Sequence, residues 1–306
     1  MNVSSPMTPS RSPSSMPERI LHRLDWHVIR RLDGLLQGNY HTLFYGPGLD
    51  FADLREYQPE DDIRHIDWNV TARLNEIYVR QYYEEREITA WFLLDISRSM
   101  AFGPADRTKQ LVMIDLAGTL ARLLTRQGNR VGAMLYNGTG GRTIPPLGGQ
   151  KQVLRLIREL GREDGGPGIG ETDLKPLLQA GHNTLKRRSL VFLMSDFFSL
   201  PGWEKPLALL NRRHDLVAIR LWDRREDELP AAGMLYVEDS ETGEQVYVDT
   251  GDPVFRHRLQ AAVAARETAL QESLNRAGVD LYAVSTDDDL VQALVRMASL
   301  RKRRRR

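Results

Sequence analysis

Residues 88–99, ITAWFLLDISRS, decide how the rest of the chain is read. An apolar run over residues 88–94 ends abruptly in Asp95, and two hydroxyls follow at alternate positions, Ser97 and Ser99. A short, nearly continuous apolar run is what a strand needs when helices cover both faces of a parallel sheet. Ligands of such sheets gather at the carboxyl ends of the strands, where Asp95 falls, with Ser97 and Ser99 in the loop entering the next helix. One carboxylate and two hydroxyls are hard oxygen ligands of the kind that suit Mg²⁺, Mn²⁺ or Ca²⁺. Taken alone the pattern is weak, because a Ser-rich helix cap after a strand is common.

Working outward, strand and helix patterns alternate from residue 88 onward. Residues 105–127 have Leu111, Ile114, Leu116, Leu120, Leu123 and Leu124, a helix apolar over much of its girth, with Gly128 as its stop. Residues 130–136 read as a strand, 142–147 as a segment pairing beside it, and 150–160 as a helix. The Gly-rich run GREDGGPGIGETDL reads as a flexible loop that delivers Thr172 just before a helix over 173–186. Residues 189–198 repeat the opening theme, an apolar strand ending in an acid, Asp196. A helix over 203–214, a strand over 216–222, a hairpin around Thr242-Gly243, a long helix over 253–277, a strand over 279–284 and a helix over 290–300 complete the pattern, the last helix capped at Ser285-Thr286-Asp287. This alternation predicts an α/β fold, a doubly wound, mostly parallel sheet.

Before residue 88 the pattern differs. Residues 1–17 are Ser/Pro-rich without an apolar core, which reads as a disordered tail and not a secretory signal. Residues 18–37 carry Ile20, Leu21, Leu24, Val28, Leu32 and Leu35 at helical spacing, with Gly38-Asn39 as the stop. Short β-like pieces over 42–45 and 77–83 are separated by turn signals, so residues 18–87 are expected to form a helix and a small β-rich subdomain ahead of the main domain, residues 88–300.

Composition narrows the function classes. The 306 residues are 41% hydrophobic and 27% charged, as in a globular protein, and no stretch approaches the ~18 uncharged apolar residues of a membrane span. Cysteine is absent, which excludes disulfides, thiolate metal sites and Cys nucleophiles and fits a cytoplasmic protein. The net charge is +1, of which the final six residues, Arg301 and Lys302 through Arg306, supply +6, so the body carries −5. That basic tail could reach nucleic acid, an anionic surface or an acidic partner, or merely add solubility.

Asp95, Ser97, Ser99, Thr172 and Asp196 fall in three strand-to-helix loops that converge if their strands are neighbours, giving two acids and three hydroxyls for an Mg²⁺- or Mn²⁺-type site. At this point the chain resembles a von Willebrand factor A (vWA) domain: D-I-S-R-S, the Thr of GETDL and the Asp of MSDFF match that family's metal-ion-dependent adhesion site in order and loop position. The preceding segment, GPGLDFADLREYQPEDDIRHIDWNVTAR, is similar to the signature of the DUF58 family, with Gly46, Gly48, Phe51, Leu54, Arg55, Tyr57, Pro59, Asp61, Asp62, Arg64, Ile66, Asp67, Trp68, Ala72 and Arg73 in the signature places. Glu60 stands where that signature has Gly. The resemblance implies a partner rather than a reaction: a metal-dependent protein-interaction module, not an enzyme, working with a MoxR-type AAA+ ATPase or its client in assembly or maturation. It also assigns the charged signature residues to folding or docking rather than to the metal.

Two other classes compete. A strand-end Asp with Mg²⁺ also begins aspartyl phosphatases, but those need a second acid two positions on, where this chain has Ser97. There is no P-loop and no G-x-S-x-G elbow, so a phosphohydrolase is the secondary reading. Nucleic-acid binding rests on the Arg tail alone, without interleaved aromatics.

Overall fold

The computed structural model describes residues 15–32, 54–59, 61, 63, 66–74, 76–80, 88–104, 106–162, 170–239 and 242–304. The expected strand over 42–45, the helix stop at Gly38-Asn39, most of the Gly-rich loop, the signature residues Asp62 and Arg64, and Arg306 lie outside them.

The central strand is where its sequence places it. β3 (Thr89–Asp95) is buried from Ala90 through Asp95. Its alternating side chains feed two cores: Ala90, Phe92 and Leu94 on one face, Trp91 and Leu93 on the other. That is why the run is apolar without a break. β3 lies between β4 (Arg130–Tyr136) and β6 (Leu190–Ser195), parallel to both. Beyond β6 come β7 (Asp215–Trp222) and β10 (Asp280–Ser285), also parallel. β5 (Gly141–Leu147) closes the other edge antiparallel to β4. The order is β10-β7-β6-β3-β4-β5 in one six-stranded sheet, the doubly wound, mostly parallel arrangement expected. The chain runs outward from β3 in one direction, then returns to β3's other side, so the switch point lies between β3 and β6.

Pro145 and Pro146 sit in β5, as suits an edge strand that lacks a partner for every N–H. The irregular register between Val131 and Ala133 is completed by a side chain: buried Gln152 donates its amide N–H to the carbonyls of Val131 (2.8 Å) and Pro145 (2.9 Å).

One face of the sheet carries α3 (Lys109–Arg126), α4 (Gln150–Leu160) and α9 (Leu290–Arg304), and the other carries α5 (Lys175–Thr184), α6 (Glu204–Arg213) and α8 (Pro253–Ala277). The N-terminal helix, α1 (Met16–Leu24), continues through a π-helical turn, Asp25–Ile29. It begins at Met16 behind a Ser15–Glu18 capping box, so the expected tail boundary at residue 17 moves toward the N-terminus. Leu21, Ile29 and Leu32 belong to the same core as β3, α3 and α4. Gly118 of α3 makes that approach possible: a Cβ there would meet Leu24 Cδ1 at 3.0 Å and Ile157 at 3.4 Å. The helix expected to stand with the N-terminal subdomain therefore packs into the main core.

In the signature segment, β1 (Leu54–Glu56) pairs antiparallel with β2 (Tyr78–Arg80), and between them lies α2 (Trp68–Leu74), which the β-rich expectation missed. The reason is a cap: Asp67 Oδ1 accepts the Val70 N–H at 3.2 Å. A hairpin, β8 (Met234–Glu238) with β9 (Gln245–Asp249), and the short α7 (Arg224–Asp227) lie between β7 and α8.

The chain's end corrects two expectations. α9 runs to Arg304, and Arg301 is not part of a free tail: it is buried and donates to Asp215 Oδ2 at 2.7 Å. The start of α9 is capped by Asp289, whose Oδ1 accepts the Gln292 N–H (3.0 Å), rather than by Ser285-Thr286-Asp287. Thr286 instead donates its hydroxyl to Asp223.

Candidate metal centre at the carboxyl edge

Asp95 ends β3 and is fully buried. Its Oδ1 accepts the Ser97 N–H (2.9 Å) and its Oδ2 accepts the Ser195 hydroxyl (2.6 Å). Ser97 and Ser99 lie on the turn entering a 3₁₀ segment, Arg98–Ala101, with their hydroxyls 3.2 Å apart. Alternate positions on this turn put both hydroxyls on the Asp95 side while Arg98 points outward to Glu238 of the hairpin, 3.0 Å away.

Asp196 follows β6 on the other side of the switch point and is also buried. The next residue, Phe197, takes a positive φ of 60°, unusual for a residue with a side chain. That turn lets the Phe197 N–H donate back to Ser195 Oγ at 2.9 Å and the Phe198 N–H donate to Asp196 Oδ1 at 3.0 Å. Ser195 thus ties the two loops together, accepting from one and donating to the Asp95 carboxylate of the other.

Thr172 is buried in the third loop. Its carbonyl accepts the Leu200 N–H (2.9 Å), and Leu174 N–H donates to Ser199 Oγ (3.0 Å), so this loop is laced to the one carrying Asp196. Tyr136, beside Asp95 in register, marks the other junction: burial, then the charges of Asp173 and Asp95, push its phenol above the ordinary value. Asp95, Ser97 and Ser99 thus follow β3 and Asp196 follows β6, on either side of the switch point. Thr172 instead sits in the loop between α4 and α5, which joins two helices and not the strand to helix expected, and is tied to the Asp196 loop through Leu200.

The electrostatics are uneven. Burial, then the charge of Asp196, raise the Asp95 carboxyl to about 7, against the opposing hydrogen bonds from Ser195 and Ser97. Among the described residues no cationic side chain pairs with Asp95. Asp196 has one: Lys109, the first residue of α3, donates from Nζ to Asp196 Oδ2 at 2.7 Å and also to Glu226 of α7. Burial works against the Lys109 charge, but Asp196 and then Glu226 outweigh it and hold the ammonium's pKa above the ordinary value. Burial likewise raises the Glu226 carboxyl, opposed by Lys109.

Among the described residues no three His, Asp or Glu side chains cluster as a metal group, so a cation here depends on hydroxyl oxygens as well as acids. The donor set fits one. Asp95, with no cationic partner among the described residues, Asp196, which shares one oxygen with Lys109, and three hydroxyls are hard oxygens of the kind such a cation takes.

The described signature residues fall elsewhere. Arg55 is in β1, opposite Val79. Tyr57 N–H donates to the Ile77 carbonyl, Asp61 Oδ2 accepts the Gln58 N–H at 2.8 Å, and Asp67 caps α2, while Trp68 and Arg73 are exposed. These are turn and cap contacts of the β1–α2–β2 segment.

Sequence reading passed over Ser195, Lys109, Glu226 and Asp223. Asp223 carried a signal: it ends the apolar run of β7 as Asp95 ends that of β3, and it is buried, accepting from Thr286. Lys109 is only a charged residue opening an apolar helix, and Ser195 only a small residue before an acid.

A family model described as "Protein of unknown function DUF58" matches residues 53–269. An uncharacterized protein of Mycobacterium tuberculosis is 32% identical over 283 residues, spanning 92% of this chain and 89% of the relative. One of Mycobacterium avium is 28% identical over 160 residues, 52% of this chain and 94% of that one. Among solved structures, BatB from Bacteroides thetaiotaomicron overlaps 71% of this chain and 99% of its own at 13% identity and a TM-score of 0.46. The VWA domain of SpRpn10 overlaps 68% and 93% at 14% identity and a TM-score of 0.40. The fold rests on the strand order itself and not on these overlaps. No helix among the described residues is long and apolar enough to cross a membrane.

Proposed function

The chain belongs to the DUF58 family, and from that premise we propose that it is a divalent-cation-dependent protein-interaction module of the von Willebrand factor A type. The observation that carries this reading is the pairing of two buried acids, Asp95 and Asp196, across the switch point, with the Ser97 and Ser99 hydroxyls beside them. Asp95, Ser97, Ser99, Thr172 and Asp196 would hold Mg²⁺ or Mn²⁺. Bound there, the cation supplies a Lewis-acidic position that a carboxylate from another protein can take.

The chain's own residues prepare the place. Ser195 and the Ser97 N–H fix both oxygens of Asp95, the turn at Phe197 aims Asp196, and the Arg98–Glu238 pair braces the Ser97–Ser99 loop against the β8–β9 hairpin. The partner in this reading is a MoxR-type AAA+ ATPase, or a client protein of that ATPase, with an acidic side chain at the contact.

The test is a binding titration of that ATPase against the wild type, with Mg²⁺ and with EDTA, and against Asp95→Ala. Binding lost in EDTA and in Asp95→Ala, in a variant whose unfolding remains cooperative, supports the reading. Binding that persists in both removes it. The competing basic-tail reading is weakened by Arg301, whose guanidinium is committed to Asp215 inside the fold.

A further inference from the structure

Lys109 is an odd residue for its position. Its side chain is fully buried, and it opens a helix, where the macrodipole disfavours positive charge. A buried ammonium persists only when anions hold it. Here Asp196 Oδ2 lies 2.7 Å from Nζ, and Glu226 is bonded to the same nitrogen. The rings of Phe198 and Phe102 flank it, with the nitrogen 5.3 and 5.9 Å from their centroids, closing it off from water. Arg266 stacks on Phe198, 4.1 Å from its centroid, and pairs with Asp227 of α7. The ammonium is thus locked against one of the two acids of the candidate centre and has no room to swing away.

We propose that Lys109 sets the charge balance of this centre, offsetting Asp196 so that a bound cation keeps excess positive charge and selects a carboxylate from its partner. The inference rests on the cation reading above and adds a determinant of ligand class outside the five oxygen donors. Asp95 then acts as the uncompensated anion, and the ammonium lowers affinity for the cation while raising the affinity of the loaded centre for an anionic group. Glu226 works in the opposite sense, because it draws part of the Lys109 charge away from Asp196.

The experiment measures Mn²⁺ binding and then acetate binding to the Mn²⁺-loaded protein, the second read from water-proton relaxation as acetate displaces metal-bound water. Lys109→Met keeps the length of the side chain and removes its charge. It should tighten Mn²⁺ by about tenfold, since a unit charge beside a divalent ion is worth a factor of that order even when largely screened, and should weaken acetate. Glu226→Gln should do the reverse, weakening Mn²⁺ and tightening acetate. A purely structural Lys109 would change the unfolding midpoint and leave the two affinities unchanged or shift them in the same direction. If the wild type binds Mn²⁺ and the variants match it, the assignment of Lys109 is wrong while the centre stands. If the wild type takes up no Mn²⁺, the centre itself is wrong and this inference falls with it. Should Lys109→Met fail to fold, Glu226→Gln decides alone.

Discussion

Replacing Ser195 with Ala removes one oxygen that makes two buried hydrogen bonds, to Asp95 Oδ2 at 2.6 Å and from the Phe197 N–H at 2.9 Å. The first is a bond to an acid, and such bonds contribute about 1.5–3 kcal/mol; the second leaves a buried N–H stranded at a cost of about 1–3 kcal/mol. Asp95 keeps its bond from the Ser97 N–H, and part of the strain at Phe197 (φ 60°) can relax once Ser195 no longer holds the turn. These offsets place the expected loss near the low end of the sum, about 3 kcal/mol. Urea unfolding in EDTA is the measurement: the midpoint should fall with the slope unchanged, because the surface exposed on unfolding is the same. A double-mutant cycle sharpens it. In an Asp95→Ala background the Ser195→Ala loss should shrink to the Phe197 share, about 1–2 kcal/mol, since the acid bond is already gone. A loss below about 1 kcal/mol in the otherwise native protein, or full additivity in the cycle, would refute the idea that Ser195 is the tie between the two acid loops.

Arg301→Ala should cost roughly 2–3 kcal/mol, below the ~3–5 for a fully buried pair because Asp215 is partly exposed; high salt should leave most of the wild type's advantage in place, and urea midpoints at low and high salt check both points. His214 is buried, neither ring nitrogen has a hydrogen-bond partner among the described residues, and burial, then Arg213 and His182, hold its pKa below the ordinary 6.5. The fold therefore keeps it neutral while the unfolded chain takes up a proton, so stability should fall as pH drops through 6.5 toward the lowered folded value. Urea midpoints at neutral and mildly acidic pH should diverge more for the wild type than for His214→Phe; equal drops would count against it.

Much of the architecture was legible because it is written in local chemistry. A strand covered on both faces has to be apolar throughout, so β3 and β6 were visible as runs ending in Asp95 and Asp196. The spans of β4, α4 and α8 were legible to the residue, because Gly128, the Gly-rich run from Gly161 and Gly278 punctuate periodic patterns. Acids and hydroxyls that follow such runs carry the same signal, which marks Asp95, Ser97, Ser99 and Asp196 as candidates from the sequence, whereas Thr172 lies between two helices, α4 and α5, and no strand pattern points to it.

Tertiary structure decided what depends on groups far apart in the chain. Lys109 meets Asp196 across 87 positions, and Ser195 meets Asp95 across 100. No periodicity encodes such pairs, because each residue type is ordinary in its own segment. The same holds for Arg301, in sequence one of six consecutive basic residues, whose partner Asp215 lies 86 positions away. It holds too for α1, whose Leu21 and Leu24 announce an apolar face but not its neighbour, which Gly118 of α3 admits by lacking a side chain. Local pattern determines which segments must be buried and where they stop. Which buried charge faces which is settled only when the sheet order brings β3 and β6 together, since a buried acid's state depends on its few nearest neighbours in space.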